Sequence, residues 1–142
     1  MENLIVFLKE FLIVYLMVFC VMVVHEAIHL FFIKLFKKKI KSIKINLLGG
    51  KISYVNDKKH FDILIISIAP NIILPLIGIL LYQLDFGIYG TILAFICFLN
   101  LVNLLPFTAD GSAVIYAVIK MLQKKGIWID HLKVKEKQDR RI

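Results

Sequence analysis

The pattern of apolar and polar positions divides the chain into three long apolar segments joined by shorter polar ones. The apolar segments cover about residues 11–36, 63–82 and 88–122, and a helix needs about 20 apolar residues to cross a membrane. The third segment contains a polar stretch, in which Pro106 predicts a break in the helix. The pattern therefore predicts an all-α integral membrane protein with about three transmembrane helices, the third of them broken.

The stretch between the first two apolar segments alternates polar and apolar residues, which is typical of a β-strand. The alternation covers residues 42–47 and 51–55, and Gly49-Gly50 separates the two runs. We therefore expect a β-hairpin over about residues 42–56, with the glycines between its strands. An exposed edge of this hairpin could hold an extended substrate by strand addition, and a simple interfacial loop explains the stretch equally well.

Composition supports the membrane prediction. The 142 residues are 60% hydrophobic with a mean hydropathy of +0.83, whereas soluble domains are about 45–50% apolar. We expect one compact unit over residues 1–125, followed by a basic cytoplasmic tail over 126–142. The N-terminal residues lack the pattern of a cleaved signal peptide, so the first span is expected to be retained.

The positive charge is clustered at the ends of spans. The net charge is +8, and lysines and arginines crowd residues 34–44 and 120–141. Under the positive-inside rule these regions face the cytoplasm, which places the N-terminus outside. We expect a multi-pass protein of the cell membrane, in contact with the lipid bilayer. No nucleic-acid recognition module accompanies the basic charge, so nucleic acid is not an expected partner.

The first span contains the sequence His25-Glu26-Ala27-Ile28-His29. Residues four apart lie on the same face of a helix, so both histidines can bind one metal ion. Glu26 lies beside them, where it can act as a general base, which completes the H-E-x-x-H pattern of zinc peptidases. Ionisable residues are costly at membrane depth unless they have a function or a partner. A polar contact between helices is the competing explanation.

Elimination and depth indicate Asp110 as a third ligand. After Glu26 the next glutamate is Glu136, in the basic tail, and the other downstream aspartates are expected at the membrane interfaces. His60 is likewise expected to be interfacial. Helical rise places His25 about 14–18 Å, and Asp110 about 15 Å, from the lysines that end their spans. Two histidines and one carboxylate would leave a fourth zinc position open for water.

Three short motifs resemble those of the site-2 protease family of intramembrane zinc metalloproteases. They are HEAIH, Ala69-Pro70-Asn71, and Asn103-Leu104-Leu105-Pro106 followed by Asp110-Gly111. The resemblance implies Zn²⁺ bound by His25, His29 and Asp110, with Glu26 as the general base. It also makes Asn71 and Asn103 candidates for holding the substrate or shaping the site. Three residues separate Pro106 from Asp110, where the family more often has four, so the loop is tighter here.

The resemblance implies a zinc-dependent intramembrane endopeptidase. Such an enzyme would hydrolyse a peptide bond in or next to a transmembrane segment of a membrane-bound protein or peptide, with Glu26 activating a zinc-bound water. No PDZ-like or nucleotide-sensing domain is attached, so we expect regulation, if any, to come from a membrane partner. The oligomeric state stays open.

The alternative function is a non-proteolytic membrane binding, assembly or immunity-like protein that retains a metal-binding fold. A transporter or channel is less well supported, because the polar residues cluster in one layer and do not line a path.

Overall fold

The computed structural model describes residues 2–46, 49–55, 57 and 59–139. In chain order its elements are α1 (Glu2–Leu35), β1 (Ile40–Asn46), β2 (Gly49–Tyr54), α2 (His60–Gln83), α3 (Gly87–Leu99), a 3-10 helix (Asn100–Leu104) and α4 (Ala109–Asp139). The helices α1 and α2, and the segment Gly87–Leu104, are long and apolar enough to cross a membrane. The prediction of a helical, multi-pass membrane protein with a small hairpin is confirmed.

The helix α2 is the centre of the bundle. It packs against α1, α3 and α4, and half of its membrane-spanning window is buried, against 6% for α1. The α-helix continues through Pro70 and Pro75. A small core cluster joins the three spanning helices through Val21, Leu74 and Cys97. Most of the N-terminal half of α1 carries exposed apolar side chains, which suits a surface in contact with lipid.

The third span is broken where the sequence predicts. The segment α3 ends at Leu99, the 3-10 helix follows, and Leu105 adopts an extended conformation with ψ of 146°. A residue before proline avoids the helical region for steric reasons, so Pro106 accounts for the extended Leu105. The chain re-enters a helix at Ala109, and the break brings the first turn of α4 next to α1.

The hairpin forms as predicted, but its glycines lie in a strand. The two strands are antiparallel, and Gly49 and Gly50 pair with Asn46 and Ile45. The prediction that these glycines separate the strands is therefore wrong, because glycine keeps both backbone hydrogen-bonding groups and can extend a ladder. Only residues 47–48 remain between the paired positions, and they lie outside the described residues, as does residue 56.

A buried lysine, paired with two aspartates, ties the end of α1 to the start of α2. The Lys38 ammonium lies 2.6 Å from an Asp57 carboxylate oxygen and 2.7 Å from one of Asp62. Burial lowers the pKa of Lys38, but the two carboxylates outweigh it and raise that pKa above its usual value. Lys38 belongs to the lysines expected to anchor the span at the membrane surface. It is buried instead, because two aspartates compensate its charge.

Candidate metal centre

Three side chains from two distant segments meet beside α2. His25 and His29 point from one face of α1, where they are only 8% and 9% exposed, and Asp110 lies in the first turn of α4. Their candidate ligand atoms all lie within 4.8 Å of one another. The helical spacing of the histidines explains their shared face, and the break in the third span brings the carboxylate to them.

The outer nitrogen of each histidine ring is held by a hydrogen-bond acceptor. His25 Nδ1 lies 2.9 Å from Asn100 Oδ1, and the Asn100 amide nitrogen donates to two backbone carbonyls of α3, which turns its oxygen towards the ring. His29 Nδ1 lies 2.8 Å from the carbonyl oxygen of Ile66. Both Nδ1 atoms therefore carry the proton and donate, and in a neutral ring each Nε2 is left with a lone pair.

The inward-facing atoms fit a tetrahedral zinc ion. The two Nε2 atoms are 3.1 Å apart and lie 3.1 Å and 3.2 Å from carboxylate oxygens of Asp110. Bonds of about 2.0–2.1 Å in a tetrahedron place ligand atoms about 3.3 Å apart, which agrees with these separations. Two lone pairs and a carboxylate at such distances repel one another unless a metal cation or an added proton lies between them. The donor set and its geometry thus suit zinc, with one coordination position open.

Asp110 is positioned by contacts that do not follow helical spacing. The Thr108 hydroxyl accepts a hydrogen bond of 3.1 Å from the Gly111 amide, which caps the N-terminus of α4. A Cβ atom on Gly111 would lie 1.9 Å from the carbonyl oxygen of Leu105. Glycine is therefore required at position 111 for this close approach of the two backbone segments. With these contacts the short loop after Pro106 brings the carboxylate to the histidines.

The two asparagines singled out from the sequence occupy different places. Asn71 is fully buried, and its amide nitrogen donates to Asp110 at 3.0 Å and to the Ser67 carbonyl at 2.8 Å. Asn71 therefore orients the carboxylate. Asn103 instead lines a cavity beside the centre. Its predicted role in holding the substrate stays a prediction.

Asn100 is the residue that sequence reasoning missed. It belongs to the predicted polar stretch, yet its contact with His25 depends on how α3 packs against α1. No spacing rule links residues 25 and 100. The available signal was an amide side chain in an apolar span, which must find a partner at that depth. His60 does not join the centre, because its ring packs edge-on against Tyr116 with centroids 5.8 Å apart.

Two cavities open onto the centre, and Glu26, His29 and Asp110 line both of them. The wide cavity, of about 390 Å³, lies between α1, the segment 96–103 and the start of α4. The inner cavity, of about 190 Å³, lies between α1, α2, α4 and the strand β2, whose Tyr54 faces it. The hairpin is thus close to the centre. Glu26 borders the space in which a substrate carbonyl and a water could meet the ligands.

The fold and the site together describe a helical protein with segments that could span a membrane, in which two histidines and one carboxylate form a site that fits zinc. Residues 18–123 match a family model, DUF3267, described as "Putative zincin peptidase". The match covers more than half of the chain, which therefore belongs to this family of zinc metallopeptidases. No curated protein matches the chain, and no solved structure does.

Proposed function

We propose that the protein is an intramembrane zinc endopeptidase of the site-2 protease type. Its substrate would be a membrane-bound protein or peptide, cleaved in or next to a transmembrane segment. The observation that carries this proposal is the position of the centre. His25 and His29 lie within the apolar helix α1, ten and six residues before its end at Leu35, so these two of the three ligands belong to a helix that could span a membrane.

The proposed mechanism assigns Glu26 as the general base. Zinc, when bound by His25, His29 and Asp110, supplies Lewis-acid chemistry that polarises the scissile carbonyl and lowers the pKa of water. Glu26 takes the proton of the attacking water and later passes it to the leaving amine. Asn100 and Asn71 keep a histidine and the aspartate oriented during this cycle.

The wide cavity gives the substrate and water access to the centre. Its volume of about 390 Å³ equals that of about a dozen water molecules, which suffices for a short extended peptide. A helical substrate must unwind there, because helical carbonyls are engaged in hydrogen bonds. Asn103 lines this cavity and is the proposed partner for the exposed backbone of the unwound segment.

The proposal is tested by replacing the base while keeping the ligands. Wild-type protein, Glu26→Gln and His29→Ala are each co-expressed with a panel of tagged single-span membrane segments. The wild type should cleave at least one segment. Glu26→Gln should lower that rate by about 10²–10⁴-fold with zinc retained, and His29→Ala should lose both cleavage and zinc. Unchanged cleavage by Glu26→Gln would exclude this base. A wild type that binds zinc and cleaves no segment would favour the non-proteolytic alternative.

We further propose that the centre opens towards the cytoplasm. The exposed lysines that follow α1, together with the exposed Lys120, Lys124 and Lys125 of α4, support this orientation. Cysteine labelling in intact cells tests it, with single cysteines at Lys39 and at Asp85, which are both exposed. An impermeant maleimide should label the cysteine at position 85 and spare that at position 39. The opposite pattern would reverse the orientation.

A further inference from the structure

A third cavity lies between α1 and the hairpin. Its volume is about 150 Å³, and we name it the hairpin cavity. Four apolar residues of α1 and two of the hairpin form its wall: Met22, Val23, Ala27, Leu30, Ile43 and Ile52. The other two lining residues, Glu26 and Lys44, are charged.

The hairpin cavity reaches the reacting centre through Glu26. This residue also lines the wide and the inner cavity, so the proposed base borders all three. The α1 residues of the hairpin cavity lie on the helix face next to that of His25 and His29. A group in the hairpin cavity would therefore lie within one side chain of the bond being cleaved.

The size and lining of the hairpin cavity select an apolar occupant. A dry apolar cavity of about 150 Å³ can hold a molecule the size of benzene. A charged or amide side chain would lose its hydration against the aliphatic wall, where only Glu26 and Lys44 among the lining residues could form hydrogen bonds with it through their side chains. Side chains the size of leucine, methionine or phenylalanine match the space.

We infer that the hairpin cavity is a substrate subsite, which binds one large apolar side chain adjacent to the scissile bond. This inference rests on the proposed function and adds to it a preference for substrates with a large apolar side chain next to the scissile bond. Glu26 at one end and the hairpin at the other distinguish the cavity from the open lipid-facing surface of α1. The subsite would select the bond to be cleaved within an otherwise uniformly apolar segment.

Two neighbouring valines of α1 provide a matched test. Val23 and Val24 are similarly exposed, at 41% and 43%, and only Val23 lines the hairpin cavity. Tryptophan at position 23 should fill the cavity, whereas tryptophan at position 24 adds the same bulk outside it. Neither valine is a proposed metal ligand or the proposed base.

The measurement is the binding of two peptidyl hydroxamates, one with a leucine and one with an alanine side chain, to the zinc-loaded full chain in detergent micelles. The wild type and Val24→Trp should bind the leucine probe at least about tenfold more tightly than the alanine probe, since one or two methylene groups already yield about that ratio. Val23→Trp should lose this preference and bind the two probes about equally, because its indole would occupy the space that the leucine side chain needs.

Equal binding of both probes to the wild type would overturn the subsite, and so would a preference that survives Val23→Trp. A preference lost in Val24→Trp as well would indicate a general disturbance of α1 and would also overturn it. Because the readout is binding, it separates the two proposals. A leucine preference that Val23→Trp removes would support the subsite even if the protein cleaved no tagged segment. In that case only the proposed peptidase function would be contradicted.

Discussion

The two halves of the metal centre are built in different ways. The α1 half is a regular helix, and a spacing of four residues places His25 and His29 on one face. The Asp110 half depends on a break in a helix, a capping hydroxyl from Thr108 and the missing side chain of Gly111. We therefore expect the first half to tolerate most changes around its ligands, and the second, which depends on close contacts between backbone segments, to tolerate few. This difference predicts where substitutions outside the ligands should disturb the centre.

The largest such effect should come from Gly111→Ala. The added Cβ would lie 1.9 Å from the Leu105 carbonyl oxygen, far inside van der Waals contact, so the first turn of α4 must move. A shift of about 1 Å in a catalytic group can cost about 100-fold in rate. We expect cleavage of the substrate segment to fall by about that factor, with a parallel loss of zinc affinity measured by competition with a chelator.

Gly126→Ala is the matched control for this substitution. Gly126 lies in the same helix, and a Cβ there would meet no atom within 4 Å. We expect zinc affinity and cleavage to stay at the wild-type level, because alanine is favoured over glycine inside a helix. Equal losses in both variants would mean that α4 tolerates no change at all, and would remove the special role of residue 111.

A smaller effect should follow from removing the asparagine behind each half of the centre. Asn100 holds His25, and Asn71 holds Asp110. Loss of a residue that orients a metal ligand typically costs about 10–100-fold in affinity. We expect both Asn100→Ala and Asn71→Ala to weaken zinc binding by such a factor. Asn71→Ala should have the greater effect. The helical backbone on both sides holds His25 in the middle of α1, whereas Asp110 lies in the first turn of α4 and depends more on its side-chain contacts.

Asn103→Ala is the reference for these two variants. Asn103 lines the wide cavity. Among the described residues, its side chain takes no part in the hydrogen bonds that orient the ligands, and the alanine variant keeps the backbone carbonyl that accepts from Thr108. Its zinc affinity should equal that of the wild type. If Asn100→Ala exceeded Asn71→Ala in its effect on zinc binding, the contrast between the two halves would be reversed.

The sequence predicts the helical half of the centre well. Apolar run lengths indicate the spans, and H-E-x-x-H on a helix places its histidines together whatever the helix packs against. Asp110 was reached by elimination and by counting helical rise from the lysines, and its place beside the histidines agrees with that count. These inferences need only the spacing and the rise of residues along a helix, which can be counted from the sequence.

The remaining contacts depend on tertiary packing. Asn100 meets His25 only because α3 lies against α1, and no local pattern connects them. The lysine-rich stretch suggests that Lys38 is one more lysine at the membrane surface. In the structure, Asp57 and Asp62 surround it. From the sequence alone, Gly111 suggests a bend. In the structure, the closeness of the Leu105 carbonyl is what requires a glycine at this position. Each error concerns a residue whose partner is remote or whose role is set by a neighbouring backbone.

The central claim is that His25, His29 and Asp110 together bind one zinc ion. Zinc content of the purified full chain tests it most directly, measured by mass spectrometry after exhaustive dialysis on the wild type, His25→Ala, Asp110→Ala and Glu26→Gln. We predict about one zinc per chain for the wild type and for Glu26→Gln, and strongly reduced zinc in both ligand variants. Undiminished zinc in Asp110→Ala, or a wild type without zinc, would contradict the account.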